Sequence, residues 1–331
     1  MTGFRAKSLL IFMLFFVSVP VWGAKDYFTT RREKLIDASG QAFVIRGVNN
    51  PHAWFREQAF NALFHIQEIG ANTVRIVWQT SGQVSELERI VNRCIELEMV
   101  PMVELHDVTG SNSKERLLDM AGWYARDDVV RMLRKYERFL LVNIANEWGN
   151  NDITPDKWLE AYTEAVNVMR AAGYVSTIVV DAPGWGQNID PFLLYGRRLI
   201  KNDPKHNILL SVHMYGSWND PDRIVLKLRE ARKQKLPLIV GEFGYNYAEG
   251  DNNLGCKADH RVIMKTCNKL KYGYIPWSWT GNNSENSWLD IVDSRDWRTP
   301  TEWGSEVIGG EYGITATSRK ARAFQAYKSL Y

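Results

Sequence analysis

Eight short runs of β-branched and other apolar residues recur along this chain, and most are followed by a segment whose apolar positions have helical spacing. The runs cover 43–48, 73–78, 100–106, 140–146, 177–181, 208–213, 238–242 and 274–279. Helices are expected near 56–69, 84–97, 114–137, 155–172, 220–235 and 257–270, with a weaker signal at 189–199 and a closing helix at 319–330. A short apolar run followed by a longer segment of 3.6-residue period reads as a βα unit. Its repetition through 331 residues, with no low-complexity linker, leaves an open doubly wound sheet or a closed barrel. An open sheet of that kind carries a glycine-rich phosphate loop after its first strand. Here the first strand leads into Arg46-Gly47-Val48-Asn49, without a G-x-G-x-x-G pattern. The expected fold is α/β, a (β/α)8 TIM barrel.

In such barrels the site gathers where the strands end at their carboxyl termini. At six of the eight strands polar or aromatic residues interrupt or close the run. They are Arg75 on the second strand, Glu104-Leu105-His106-Asp107 on the third and Asn146-Glu147 on the fourth. His213-Met214-Tyr215 close the sixth, Glu242 the seventh and Trp277-Ser278-Trp279 the eighth. A buried charge costs several kcal/mol unless it is paired, so a set converging on one rim implies mutual partners and a site. Asp181, closing the fifth strand before Ala182-Pro183-Gly184, reads equally as a loop cap, and Asp107 as a stabiliser of its own loop.

Two carboxylates on the fourth and seventh strands suit glycoside hydrolysis. One protonates the leaving oxygen and the other attacks the anomeric carbon, which requires their proton affinities to differ. Arg75 beside Glu242 is expected to keep that carboxylate ionised as the nucleophile. Glu147, with no such cation in view, is expected to be the proton donor. Tyr215 is placed to hydrogen-bond the nucleophile, and Asn146 to hold the sugar 2-hydroxyl. Thirteen tryptophans, many beside Gly, Asn or His in loops, offer flat faces for sugar rings.

The first 24 residues read as a secretory signal. Arg5 and Lys7 precede an apolar stretch at 9–21 and the small pair Gly23-Ala24. That leaves 25–331 as a single catalytic domain, secreted to the extracellular space or periplasm and with no stable membrane association. The net charge of +3 includes no dominant basic run, which argues against a nucleic-acid partner. Cys94 falls in an apolar helical pattern and reads as a buried thiol. Cys256 and Cys267, close together in an exported chain, are candidates for one disulfide, free thiols being the alternative.

The motifs Asn146-Glu147, His213-Met214-Tyr215, Gly241-Glu242-Phe243-Gly244 and Trp277-Ser278-Trp279-Thr280-Gly281-Asn282 resemble glycoside hydrolase family 5. The likeness runs from about residue 43 to residue 304, with Arg75 and His106 matching the arginine and histidine of that family. Further stretches are similar to its bacterial-type endo-β-1,4-mannanases. They are Arg46-Gly47-Val48-Asn49 with His52-Ala53-Trp54-Phe55, His106-Asp107-Val108-Thr109-Gly110, Asp181-Ala182-Pro183-Gly184-Trp185-Gly186-Gln187 and Leu289-Asp290-Ile291-Val292. The resemblance implies a retaining enzyme that needs no cofactor, expected as a monomer acting on a β-1,4-linked polysaccharide. Mannan or glucomannan is the expected substrate, with endo-β-1,4-glucanase activity as the alternative. It also implies that Trp277 floors the cleavage subsite and that His52, Trp54, Trp185, Trp279 and Asn282 contact sugars. Trp148 departs from the family, where a proline is more usual, and the loop 245–255 and tail 297–318 are distinctive.

Two other classes compete. A metal-dependent hydrolase could draw on His52, His106 and His213, but the chain lacks the H-x-H spacing of a strand-borne metal pair, and no metal is expected. A carbohydrate-binding barrel without activity would normally have lost a catalytic carboxylate, and here both are present.

Overall fold

The computed structural model describes residues 25–247 and 255–328. The leader expected at 1–24, most of the distinctive 245–255 loop and the last residues of the closing helix lie outside them. An antiparallel sheet of β1 (Thr29–Arg31), β2 (Lys34–Ile36) and β3 (Ala42–Phe43) comes first. The parallel strands follow: β4 (Gly47–Asn50), β5 (Thr73–Trp78), β6 (Val100–Leu105), β7 (Leu141–Asn143), β8 (Thr177–Asp181), β9 (Ile208–Met214), β10 (Leu238–Phe243) and β11 (Gly273–Tyr274). Each pairs with its sequence neighbour, from β4 through to β11. The ring closes where Arg46 bridges Tyr274 in parallel and Trp279 N donates to Asn49 O (2.8 Å). The expected TIM barrel is the fold.

Alternation along the strands sorts side chains into two apolar layers. In β5, Val74, Ile76 and Trp78 face the helices, while Thr73, Arg75 and Val77 have the opposite parity. Met102, Leu141, Val179, Leu209, Ile239 and Ile275 fill the lower barrel, and Phe28, Leu35 and Phe43 from the N-terminal sheet region pack against them. The helices are α1 (Arg56–Glu68), α2 (Val84–Glu96), α3 (Lys114–Tyr124), α4 (Asp127–Arg134), α5 (Pro155–Ala171), α6 (Asp190–Asn202), α7 (Pro221–Lys233) and α8 (His260–Leu270). Their starts follow local chemistry. Thr154 and Asp220 cap α5 and α7, each with proline in the first turn, and Asp259 caps α8.

Several boundaries differ from the sequence reading. The helix expected at 114–137 is two helices, because Arg126 turns extended (ψ 139°) before α4. The first expected strand divides between β3 and β4, and the last shrinks to two residues of regular pairing. The tail adds α9 (Glu302–Gly309) and α10 (Ile314–Thr317) before α11 (Arg322–Lys328), where only one closing helix was expected.

Candidate active site

The inward residues at the upper strand ends form one buried ionic network. Arg75 Nη1 donates to Glu242 Oε1 (2.8 Å) and Asn49 Oδ1 (3.0 Å), and Nε donates to Asn143 Oδ1 (3.0 Å). Its Nη2 donates to Asn146 Oδ1 (2.8 Å) and Asp181 Oδ2 (3.4 Å) and lies 3.7 Å from Glu104 Oε2. Each of these groups is buried, so the guanidinium is the cation that makes several carboxylates tolerable in one barrel.

Glu242 reaches this network through a bulge. Leu238 and Val240 face the helices, and strict alternation would send Glu242 with them. The register between β9 and β10 shifts between Val240 and Glu242, so that Glu242 pairs with His213 on the inner face. Gly241 permits the bulge, since a Cβ there would lie 2.1 Å from Ser211 Oγ. Tyr215 Oη then donates to Glu242 Oε2 (2.8 Å). On the fourth strand the regular pairing ends at Asn143, and Glu147 takes a left-handed backbone (φ 47°). That conformation costs a non-glycine residue roughly 1 kcal/mol or more. It is held by Glu147 N donating to Asp181 Oδ2 (3.1 Å) and Gly110 N donating to Glu147 O (2.9 Å).

Glu147, His213 and Glu242 meet: one side-chain ligand atom from each lies within 4.8 Å of the others. His213 Nδ1 is 2.7 Å from Glu147 Oε1 and 3.5 Å from Glu242 Oε2. Burial alone would depress this imidazole, but Glu242, Asp181 and Glu147 together push its pKa up to about 9. Burial pushes the Glu242 carboxyl above the ordinary range, and His213 and Arg75 pull against it. Arg75 donates to Glu242 and favours its ionised form against the opposing effect of burial. One sequence expectation is corrected: Glu147 does have a basic neighbour, His213.

A cleft of about 960 Å³ opens above the network, lined among others by Trp54, His106, Asn146, Glu147, Trp185, Tyr215, Glu242, Trp277 and Asn282. His106 donates to Glu104 Oε1 (2.9 Å) and stacks on Trp277, with ring centroids 5.6 Å apart. Trp54 and Trp185 are 48% and 44% exposed, ready for an apolar sugar face. Asn282 lines the cleft, but its side chain is occupied. Its Oδ1 accepts from Trp277 Nε1 (2.9 Å) and its Nδ2 donates to Asp290 Oδ1 (2.7 Å).

Two predicted sugar contacts are not made, and of the two readings of the cysteine pair the structure has the free thiols. His52 is fully buried away from the cleft, accepting from Asn50 Nδ2 (3.0 Å), and burial drives its pKa down to about 3. Trp279 is 1% exposed and donates to Trp297 O (3.1 Å), so it supports the floor from below. Cys256 and Cys267 are free, as is Cys94. The Cys256 thiol sits at the cleft wall and donates to Gly244 O (3.2 Å), while Cys267 is packed inward from α8. Sequence reasoning missed Asn49, Asn143, Gln187 and Trp288, and underrated Asp181. The inward parity shared by Thr177, Val179 and Asp181 was the available signal for the last.

A (β/α)8 barrel with paired carboxylates gripped by Arg, His and Tyr, under an open cleft walled by tryptophan, defines the glycoside hydrolase class of enzyme. Residues 36–283 match the family model described as Cellulase (glycosyl hydrolase family 5). The mannan endo-1,4-beta-mannosidase of Salipaludibacillus agaradhaerens is 33% identical over 299 residues, spanning 88% of this chain and 93% of that protein. The beta-mannanase from Thermomonospora fusca has the same fold with a TM-score of 0.83 at 32% identity, covering 90% of this chain and 99% of that one. Its mannohexaose complex matches with a TM-score of 0.81 at the same identity and coverage. The chain belongs to glycoside hydrolase family 5. Among the described residues, no helix is long and apolar enough to cross a membrane.

Proposed function

We propose that this enzyme is a retaining endo-β-1,4-mannanase in which Glu242 is the nucleophile and Glu147 the acid/base. The observation that carries the reading is the convergence of Glu147, His213 and Glu242 within 4.8 Å, measured over one ligand atom of each. Retaining enzymes hold their carboxyl groups about 5 to 5.5 Å apart, whereas inverting ones need about 6.5 to 9.5 Å to admit a water between them. Glu242, oriented by Arg75 and Tyr215, attacks the anomeric carbon while Glu147 protonates the departing oxygen. Glu147 then takes a proton from the incoming water, which displaces Glu242 and restores the configuration. Arg75 and Tyr215 donate to different oxygens of Glu242, which favours its ionised form despite burial. Trp277 provides the platform at the cleavage point, and Trp54 and Trp185 serve neighbouring sugars.

The relatives named above are mannanases, which favours mannan or glucomannan. The family description as cellulase favours a second reading, an endo-β-1,4-glucanase. Mannose and glucose differ only at the 2-hydroxyl. Product chromatography after incubation with mannan, glucomannan and carboxymethylcellulose decides between them: mannan cleaved to short oligosaccharides supports the first reading, and release from cellulose alone overturns it. The same reading takes 1–24 as a cleaved export leader and 25–331 as one monomeric domain that leaves the membrane. The mass and N-terminus of the exported protein, with its sedimentation, test that part.

A further inference from the structure

Gln187 lines the cleft in the loop between β8 and α6, and it is unusually well oriented. Its backbone is tied twice: N donates to Gly184 O (3.1 Å), and O accepts from Trp218 Nε1 (3.0 Å). Its side-chain carbonyl is tied as well. Oε1 accepts from both Ser217 N (3.3 Å) and Ser217 Oγ (2.9 Å). An amide whose oxygen is held by two donors cannot flip without turning its own NH2 against them. Among the described residues Nε2 has no protein acceptor, so its two hydrogens remain for whatever enters the cleft.

The preceding residue lies against the catalytic groups. A Cβ on Gly186 would fall 2.5 Å from His213 Nδ1 and 2.9 Å from Glu147 Oε1, so bare backbone runs against the acid/base pair immediately before Gln187. The oxygen that Glu147 protonates belongs to the departing sugar, and Gln187 lines the same cleft one residue beyond the backbone that lies against Glu147.

The geometry points to Gln187 as a specificity-determining residue of the leaving-group side, donating through Nε2 to a hydroxyl or ring oxygen of the departing pyranose. The inference rests on the assignment of Glu147 as acid/base. Facing the cleft, this amide is a donor only, so it recognises an acceptor oxygen and gains nothing from a substrate that leaves that side empty.

The test compares Gln187→Met, which keeps chain length without donors, and Gln187→Glu, which keeps the Ser217 bonds but presents an oxygen. Each is assayed for kcat/KM on the polysaccharide that the native enzyme cleaves best and on the matching disaccharide fluoride, which places no sugar on the leaving side. Loss of one neutral hydrogen bond predicts a fall of about fivefold to tenfold on polysaccharide and a change within about twofold on the fluoride. The bond preferentially cleaved in a linear pentasaccharide should shift in both variants. Equal losses on both substrates would show that Gln187 acts through Glu147 or the fold, and no loss on either would show that its amide touches no sugar. Both results overturn the proposal while the native enzyme remains active. A native enzyme inactive on every β-1,4-glycan would instead end the functional reading beneath it. Melting temperatures of both variants, read alongside, identify a variant that has merely unfolded.

Discussion

Arg75 shows how single residues carry this site. Its five N–H donors form a rigid fork, and here they reach Glu242, Asn49, Asn143, Asn146 and Asp181 at once. Around it the two carboxylates have separable duties. Without Glu242 no glycosyl-enzyme forms, so Glu242→Ala should be inactive even on dinitrophenyl glycosides, with azide giving an inverted product. Without Glu147 the leaving oxygen goes unprotonated. Glu147→Ala should therefore fail on polysaccharide by about 100-fold or more, yet form the intermediate from dinitrophenyl glycosides, with azide releasing a product of retained configuration. Inversion there would reverse the assignments. His213 makes a pH prediction. Its folded pKa, about 9, lies above the ordinary 6.5, so the native state holds this proton more tightly than the unfolded chain. The stabilisation is complete below about pH 6.5 and is lost as pH rises through about 9. Thermal melts should show Tm falling across that window, with a flatter slope in His213→Asn. An equal slope in both proteins would remove His213 as the cause.

At the scale of elements, the β10 bulge decides whether the nucleophile faces substrate. Gly241→Ala would set a methyl 2.1 Å from Ser211 Oγ and 3.2 Å from His213 Nε2. The expected result is a loss of about 2 kcal/mol or more in stability, in line with overpacking elsewhere, and a disproportionate loss of kcat as Glu242 is displaced. Adding Ser211→Ala removes the closest clash and should recover part of both. Full activity in Gly241→Ala alone would mean that the bulge has slack. The eighth strand shows a related dependence on its neighbours. Little regular pairing holds it beyond Tyr274, and Trp277 is positioned by side chains, with Asn282 held by Asp290 and in turn accepting from the indole.

Across the whole molecule the barrel separates stability from chemistry by end. The lower interior is apolar and closed by Phe28, Leu35 and Phe43, while the upper interior is ionic and opens into the cleft. Phe28 is fully buried against Phe43, ring centroids 5.5 Å apart, far in the fold from any catalytic group. Phe28→Ala should cost about 3 to 5 kcal/mol of unfolding free energy, as large core truncations do. The folded fraction should keep native kcat and KM. A change in either constant, measured per folded molecule, would show that the two ends are coupled.

Local chemistry carried much of this protein into view from its sequence. Strand runs, helix periods and capping residues act over a few positions, so the repeat of βα units and the barrel were legible, as were Arg75, Glu147, His213, Tyr215 and Glu242 as charged or polar interruptions of apolar runs. What failed in the sequence reading depended on contacts distant along the chain. His52 lies near Trp54 in sequence, yet the packed fold turns it fully into the interior, and Trp279, donating to Trp297 O, props the floor that Trp277 forms. Cys256 and Cys267 are close in sequence, but one faces the cleft wall and the other packs inward from α8, so spacing could not report that they stay unpaired. Sequence alone leaves Asp181 open between a loop cap and a site residue because only the closed ring brings Arg75, Asn143 and the backbone of Glu147 to it. The side of the sheet on which Glu242 emerges was likewise settled by pairing with β9, since a period of two predicts the opposite face until a neighbouring strand imposes the bulge. Sequence determined which groups this chain has to work with. Tertiary structure decided which of them share a buried space, because charge pairing and burial are properties of distance in the fold.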